Sequence, residues 1–573
     1  EHEVSSSDKA KNFTRSSGWL IFVLMLVVSW RQLPLSPAVT GASALPVSQD
    51  WLAIFARAGA SWQPIGQGFV APSDPFNWVI VAITALTFWS PNISLVFLLW
   101  MARALAFASA WRALSLLTAK AWQRNLGAVV YALLPAFTAS ITAGEYPAVV
   151  ATILTPWLAF AIARAAGLGR SGSARSDART WSWVGLAGLL LAAVGAAAPD
   201  LIVLTLVGLG LVAFTKIRRL GYLFWIPLPL AAIYLPLALN NIVGLGHPLT
   251  LLAEPSIPGG IPSLANGLEI SVKSWPTLGV VAILVMALLA MLIKRWVVSL
   301  AIAGFALIAF ALDLFIGQLR FPDGVFNSGH ALAATIGLSL IGLAVHFASD
   351  LRSRVSLAMV FLLFSTALAP LAWLGFTESN RTVASDAAVV PLLLQKQAEQ
   401  GTDLQLLIVT QTETSYAVQW LPIGGVHLED SNLAYRFAET DTAKDATYQA
   451  LAQVVGDLVS ANGAADGQVL WGNEIGYVLV PKGEENAGVV AALEASPLLE
   501  SAGLTPFGEL WRVIGISASD APRTEHTPWS ITKLVQLTAL LGFALLAIPS
   551  RGKTKQAVDS EIFIDQSESE LDV

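Results

Sequence analysis

The residues that could do chemistry in this sequence are carboxylates in the polar connections between long apolar segments. Ionisable groups at membrane depth are costly, so they usually face a cavity or a partner group and mark function. The sequence contains no phosphate-binding glycine loop with Lys-Ser/Thr, no HExxH, no CxxC and no GxSxG, which argues against the common soluble-enzyme chemistries. The carboxylates that remain are Asp50, Asp74, Glu145, Asp200 and Asp313.

Asp50 precedes Trp51 in an amphipathic stretch of the first long connection, where a carboxylate could face a membrane-embedded cavity. A transferase that moves a sugar from a lipid phosphate needs a base to deprotonate the acceptor hydroxyl. It also needs cationic or hydrogen-bonding groups to hold the leaving phosphate. We therefore predict Asp50 as the catalytic base, and the candidates for holding the phosphate are Arg57, His247, Lys273, Arg320 and His330.

Two of these acids have a structural interpretation that competes with the chemical one. Asp50 could be a helix N-cap or simply solvated, and Asp313 could pair with Arg320 and only tie a helix to a loop. The functional interpretation places all these groups on the outer side of the membrane. On that interpretation the substrate is bound by Arg57, Glu145, Asp200, Asp313, Arg320 and His330.

Helix capping is the alternative for three other acids. Glu145 and Asp200 each stand within two residues of a proline at the start of an apolar segment, a pattern typical of helix N-termini. Asp74 directly precedes Pro75, which indicates an N-cap with proline at the first helical position. No metal site or cofactor is predicted from these spacings, although a divalent cation is left open.

Composition identifies the class of protein. The chain has 573 residues, of which 55% are hydrophobic and 13% charged, whereas soluble domains carry roughly 25% charged residues. It is therefore predicted to be a polytopic α-helical membrane protein. The absence of cysteine excludes disulfides, thiolate metal sites and cysteine nucleophiles. Residues 377–526 hold 20 acidic and 7 basic side chains, which excludes nucleic acid as a partner of this part.

Twelve apolar runs are long enough to be considered as spans, and the basic clusters between them all fall on one side when twelve are counted. This agrees with the excess of lysine and arginine in cytoplasmic loops, so both termini are predicted to be cytoplasmic. Phe76–Trp89 is too short to cross and is predicted to dip into the membrane from the outer loop. The spans are Gly18–Trp30, Ile93–Ala110, Leu126–Thr142, Ala148–Ala166, Trp181–Ala198, Leu201–Thr215, Leu220–Leu239, Pro276–Ile293, Trp296–Gly317, Ala331–Ala348, Val355–Gly375 and Trp529–Ile548.

The predicted organisation has five parts. A cytoplasmic tail (1–16) precedes a membrane domain (17–375) whose long outer loop (31–90) carries juxtamembrane helices. A small extracytoplasmic α/β domain (376–527), a last span (528–549) and a disordered acidic tail (550–573) follow. In the α/β part, LQLLIVT, YAVQWLP, QVLWG and YVLVP indicate strands, and Ala446–Ser460 and Asn486–Leu493 indicate helices.

Three stretches resemble a known family: QDWLAIFARAGASWQPIGQGFVAPSDPF, GEYPAVVATILTPWLAFAIARA and IGYVLVPKGEENAGVVAALEASPLLESAGLTPFGELWRV. They are similar to actinobacterial GT-C-like membrane glycosyltransferases, either arabinofuranosyltransferase-like proteins or the membrane region of a fusion behind a cytoplasmic family-2 glycosyltransferase domain. The resemblance implies a polyprenyl-phosphate-linked sugar donor and a base in the first outer loop. The sequence departs from the family because the paired acids that often follow the first span are missing, and Asp50 stands alone.

The sequence is compatible with three functions. The leading hypothesis is a membrane glycosyltransferase, or the membrane half of one, for a cell-envelope glycan in the bacterial plasma membrane. The chain begins with Glu1 rather than Met, and this fits a segment once preceded by a cytoplasmic family-2 domain. The alternative is a non-catalytic scaffold that binds lipid-linked glycan for a partner enzyme. A transporter is disfavoured because no matched broken helices occur in the two halves.

Overall fold

A computed structural model describes residues 6–32, 36–63, 66, 68–168, 177–244, 248–255, 296–319, 328–350, 382–400, 404–411, 415–431, 446–460, 466–483, 486–516 and 530–549. Helices make up most of the first 350 residues, and residues 404–513 add a five-stranded sheet. The helices before the sheet are α1 (Ser6–Gln32), α2 (Trp51–Arg57), α3 (Phe76–Thr84), α4 (Pro91–Leu114), α5 (Ala121–Ala132), α6 (Pro135–Ala143), α7 (Tyr146–Ala165), α8 (Asp177–Ala197), α9 (Asp200–Thr215), α10 (Leu220–Leu223), α11 (Leu228–Leu239), α12 (Trp296–Gln318) and α13 (His330–Asp350).

The described helices are those of a multi-pass membrane protein. Five of them are long and apolar enough to cross a membrane, and up to seven spans result if each of two bent pairs counts as one. Helix α7 packs against both α4 and α8 through buried apolar side chains. The predicted spans Pro276–Ile293 and Val355–Gly375 lie outside the described residues, so the total of twelve remains a prediction.

Two predicted spans are not single helices. The run Leu126–Thr142 divides into α5 and α6, which meet at an angle of 47°. The run Leu220–Leu239 divides into α10 and α11, with Pro227 in the N-cap position of the second helix. Both α6 and α11 carry a proline in their first turn, and proline disfavours helical geometry in the residue before it. The periodicity of apolar residues cannot reveal such breaks.

The first outer connection is folded and tied to the later chain. Strand β1 (Ala38–Thr40) pairs antiparallel with β4 (Val383–Ser385), and β2 (Trp62–Gln63) pairs with β3 (Phe69–Val70). Helices α2 and α3 contact through aromatic side chains, with the rings of Phe55 and Trp78 in an edge-on arrangement at 6.1 Å. The predicted helix Phe76–Trp89 is present as α3 and a short 3-10 turn over residues 85–87.

The second half contains a mixed sheet whose strands lie in the order β6-β5-β7-β9-β8. Strands β5 and β7 are parallel and the other neighbours antiparallel. Strand β7 is buried along nearly all its length, because separate apolar clusters cover both faces. The strands are β5 (Gln405–Gln411), β6 (Tyr416–Pro422), β7 (Ile475–Pro481), β8 (Leu499–Thr505) and β9 (Gly508–Val513).

The strand predictions for LQLLIVT, YAVQWLP and YVLVP are confirmed, but the prediction for QVLWG is wrong. That stretch is the short helix α16 (Gly467–Gly472), because the Asp466 carboxylate caps it and accepts a hydrogen bond from Gln468 N at 2.9 Å. The two predicted helices are confirmed as α15 (Ala446–Val459) and α17 (Ala487–Glu494). The remaining helices are α14 (Leu392–Glu399) and α18 (Ile531–Ala547).

Candidate functional site

The starts of three helices bring acidic groups and one imidazole together. Glu145 is the residue before α7, Asp200 is the first residue of α9, and His330 is the first residue of α13. Glu254 follows the 3-10 turn 248–252, and the charges of the other three residues act on the pKa of its carboxyl group. We call Glu145, Asp200, Glu254 and His330 the acidic cluster. Helix N-termini carry partial positive charge, so they suit carboxylates and phosphates.

Glu145 and His330 form the tightest contact of the acidic cluster. Glu145 Oε2 lies 2.7 Å from His330 Nδ1, and the Glu145 side chain is fully buried whereas the His330 side chain is 13% exposed. Glu145 has the N-cap position of α7 but makes no capping hydrogen bond. Within the described residues its second oxygen, Oε1, has no hydrogen-bond partner. The pair therefore offers a buried carboxylate oxygen that can accept a proton or a hydrogen bond from a ligand.

Glu254 is the member of the cluster that the sequence reasoning missed. Its Oε2 accepts hydrogen bonds from Ser328 N at 3.2 Å and Ser328 Oγ at 2.7 Å. Burial, followed by the nearby charges of Asp200 and Glu145, raises the pKa of Glu254 to about 8. The carboxyl group is therefore mostly protonated at neutral pH and can donate a hydrogen bond. A single acid inside the apolar run LTLLAEP is the sequence signal that could have identified it.

Three further acids are buried. Asp200 Oδ1 accepts a hydrogen bond from Leu201 N at 2.8 Å. Asp313 is buried near the end of α12, and its Oδ1 lies 3.3 Å from the position that a Cβ on Gly329 would occupy, next to His330. Asp74, in the first outer connection, is also buried. Pro75 has helical backbone angles (φ −55°, ψ −28°), and Asn77 N donates a hydrogen bond to Asp74 O at 3.0 Å, so the backbone fits the predicted start of the helix, and capping by the Asp74 side chain stays a prediction.

Asp50 and Arg57 lie at the two ends of α2. Asp50 is exposed and is the N-cap of α2, with Oδ1 accepting a hydrogen bond from Leu52 N at 2.9 Å. Arg57 Nε lies 2.8 Å from Asp430 Oδ1. Among the described residues, no hydrogen bond or ion pair joins either side chain to the acidic cluster. Asp50 is therefore observed as a helix N-cap, and its catalytic role stays a prediction.

The other predicted cations are only partly accounted for. His330 lies in the acidic cluster, whereas Arg320, His247 and Lys273 fall outside the described residues. The suggested pairing of Asp313 with Arg320 thus stays a prediction. Among the described residues, three possible metal-ligand atoms come within 4.8 Å of one another at His427, Glu429 and Asp430 and not in the acidic cluster, so the divalent cation that the sequence left open has no support there.

Comparison with known proteins gives similarity in structure alone. No protein-family model and no curated protein matches the chain. The cryo-EM structure of arabinofuranosyltransferase AftD from Mycobacteria matches 88% of this chain with a TM-score of 0.55 and 16% sequence identity. A mutant of AftD matches 87% of this chain with a TM-score of 0.54 and 16% identity.

The match covers 40% of the AftD chain and 41% of its mutant, so this chain spans less than half the length of those proteins. At this level of identity the similarity concerns the fold. The chain has the GT-C-like membrane fold that the sequence resemblance predicts, shared with a mycobacterial arabinofuranosyltransferase.

Proposed function

We propose that the chain is a membrane glycosyltransferase, or the membrane part of one, which transfers a sugar from a polyprenyl-phosphate donor to a cell-envelope glycan. The observation that carries the proposal is the buried Glu145–His330 pair, at 2.7 Å, among other buried acids at helix N-termini. Buried ionisable groups are costly in a membrane protein, so those that occur usually serve a function. The fold shared with a glycosyltransferase supports the same class of reaction.

In this proposal Glu145 accepts the proton of the acceptor hydroxyl through Oε1, while His330 holds Oε2. The acceptor oxygen bonds to the anomeric carbon as the bond from that carbon to the phosphate oxygen breaks, and the phosphate leaves with the electron pair. Protonated Glu254, His330 and the helix N-termini then donate to the phosphate. Asp200 and Asp313 would hold sugar hydroxyls, and Arg57 and Arg320 remain proposed phosphate ligands from the sequence.

The orientation in the membrane is part of the proposal. The acidic cluster faces outward, and both termini are cytoplasmic, in a bacterial plasma membrane. A cytoplasmic family-2 glycosyltransferase domain would then be a suitable partner, and the sheet-containing part would be extracytoplasmic. The support is the distribution of basic residues in the sequence, which follows the bias of cytoplasmic loops.

The test compares Glu145→Gln with Asp50→Asn in the full chain, with lipid-linked sugar transfer as the readout. Removal of a catalytic base typically costs about 10²–10⁴-fold in rate. We expect this loss for Glu145→Gln and a change of less than about threefold for Asp50→Asn, with both variants expressed normally. The opposite result would restore Asp50 as the base and reject the role of Glu145.

A non-catalytic scaffold is the second candidate, and one observation favours it. Asp50, the acid at the place where the related enzymes often carry their base, is exposed and engaged in capping. A scaffold would bind lipid-linked glycan for a partner enzyme without a base of its own. Unchanged transfer in both variants and in the double variant, with a partner present, would select this function.

A further inference from the structure

The short 3-10 turn over Leu428–Asp430 lies against the first outer connection. Leu428 N donates a hydrogen bond to Pro46 O at 3.0 Å, and Asn77 Nδ2 donates to Glu429 O at 2.9 Å. These contacts come from both sides of α2 in the sequence. They hold the backbone of the turn in place, so the side chains of the turn are presented from a fixed frame.

One ligand atom from each of His427, Glu429 and Asp430 lies within 4.8 Å of the other two. Glu429 Oε1 accepts a hydrogen bond from Ser48 N at 2.9 Å, so Oε2 is its available oxygen. Glu429 is 3% exposed, and within the described residues Oε2 has no hydrogen-bond partner. Asp430 Oδ1 is held by Arg57, whereas Oδ2 accepts a hydrogen bond from His427 N at 3.3 Å and lies 3.8 Å from His427 Nδ1.

The charges around these atoms favour a bound cation. Two neighbouring buried carboxylates repel each other, and Arg57 neutralises only the charge of Asp430. A buried carboxylate oxygen without a partner is unfavourable, and a cation beside Glu429 Oε2 would relieve this. An imidazole nitrogen with two carboxylate oxygens is a donor set that zinc accepts, with water in the fourth position. Tetrahedral zinc places its ligands about 3.4 Å apart, so the three side chains must move closer together.

We propose that His427, Glu429 and Asp430 form a binding site for a divalent transition metal such as Zn²⁺. The site is separate from the acidic cluster and does not depend on the proposed transferase activity. A metal bound there would fix the turn 427–430, which contacts Ser48, Asn77 and Arg57 of the first outer connection. Calcium and magnesium would bind more weakly, because they prefer sites made of oxygen alone.

The test uses the full chain, purified without a histidine tag and stripped with EDTA. Zn²⁺ binding is measured by calorimetric titration and by metal content after gel filtration, and the melting temperature is recorded with and without Zn²⁺. The variants are His427→Gln and Glu429→Gln. The matched control is Glu399→Gln, which makes the same change at a carboxylate half exposed to solvent.

We expect one Zn²⁺ per chain, a higher melting temperature with Zn²⁺, and unchanged behaviour in the Glu399→Gln control. His427→Gln and Glu429→Gln should each bind Zn²⁺ at least about tenfold more weakly. Arg57→Gln should bind it more tightly, since it removes a competing positive charge. Failure of the wild type to retain Zn²⁺ would overturn the proposal. So would a Zn²⁺ affinity of His427→Gln and Glu429→Gln equal to that of the wild type.

A second measurement keeps the proposal testable if His427→Gln and Glu429→Gln fail to fold. Cu²⁺ bound to the wild-type protein should give a pulsed electron paramagnetic resonance signal from one imidazole nitrogen, because the site has a single histidine. Absence of this signal, or evidence of several histidine ligands, would reject the site without any variant.

Discussion

Glu254 shows how burial controls the charge of a single side chain. Its pKa is raised from 4.5 to about 8, mainly by burial, so the folded protein holds the proton more tightly than the unfolded chain does. The stabilisation is fully present below pH 4.5 and is lost as the pH rises through 8. We therefore expect the melting temperature of the wild type to fall between pH 5 and pH 8.5, by an amount equivalent to a few kcal/mol at most.

Glu254→Gln cannot ionise and should show a shallower fall over the same range. Thermal unfolding in detergent, followed at several pH values, checks this. Glu399→Gln changes an exposed carboxylate and should keep the slope of the wild type. Equal slopes in all three proteins would mean that Glu254 does not hold its proton in the folded state.

Gly144 occupies a position next to Glu145 that only glycine fits. Its φ is +69°, and a Cβ there would come within 2.5 Å of Ala44 Cβ and 2.9 Å of Thr382 Cγ2. Gly144→Ala should therefore lower the free energy of unfolding by about 1–3 kcal/mol, from the unfavourable φ and the close contacts. Thermal or denaturant unfolding measures the change.

The control for that prediction is Gly304→Ala in α12. No atom lies within 4 Å of the position of a Cβ at Gly304, and alanine favours helix by up to about 1 kcal/mol. This variant should be as stable as the wild type or slightly more stable. If Gly144→Ala is equally well tolerated, the packing of the first outer connection against the start of α7 is not as tight as described.

The sequence could supply most acids of the site but not their arrangement. Glu145, Asp200 and His330 were identifiable because charges between apolar segments are rare and expensive. Their grouping depends on contacts between residues 145 and 330, and between 254 and 328. Such distant pairs are determined by the packing of helices, which the local sequence pattern does not contain. Glu254 has a local signal too, as a single acid in the run LTLLAEP, but its place beside the other acids depends on the same distant contacts.

At the scale of elements, apolar length predicts that a helix exists but not where it breaks or what holds its ends. The helices α7, α8 and α13 lie where the apolar runs predicted them. The bend between α5 and α6 depends on a proline, and the helix at QVLWG on a capping acid. Single residues therefore overruled the apolar pattern in both places.

The last helix, α18, supports the short helix α2 through a buried lysine. Lys533 Nζ donates hydrogen bonds to Phe55 O at 2.6 Å and Ala56 O at 3.1 Å, near the C-terminal end of α2. The same ammonium lies 4.4 Å from the centre of the Phe55 ring. A positive charge at a helix C-terminus satisfies carbonyls that have no partner within the helix.

Lys533→Met should therefore lower the free energy of unfolding by about 1–3 kcal/mol, since it removes the charged donor of two hydrogen bonds at the end of α2. The loss should appear as a lower melting temperature and as faster proteolysis of the first outer connection. Leu534→Met alters the neighbouring, exposed position and should have little effect. Identical melting curves for the two variants would show that α18 does not support α2.

At the scale of the whole molecule, contacts between distant segments restrict the topology. Asn92, at the start of α4, accepts a hydrogen bond from Val47 N at 2.9 Å and donates one to Val47 O at 2.8 Å. The segment after α3 is thus on the same side as the first outer connection. The pairing of β1 with β4 places the beginning of the sheet-containing part there as well. These contacts agree with the prediction that Phe76–Trp89 does not cross the membrane.

The cysteine-free chain allows a direct test of this arrangement. Cysteine at position 92 would be poorly accessible because Asn92 is buried, so the exposed Trp89 and Leu504 are better labelling sites. Trp89→Cys and Leu504→Cys should react with a membrane-impermeant thiol reagent on intact cells. Arg218→Cys, in an exposed basic turn, should react only after permeabilisation, as a cytoplasmic site does. Labelling of position 89 only after permeabilisation would mean that Phe76–Trp89 crosses the membrane. Position 89 would then lie on the side opposite to the one proposed for Val47 and the acidic cluster.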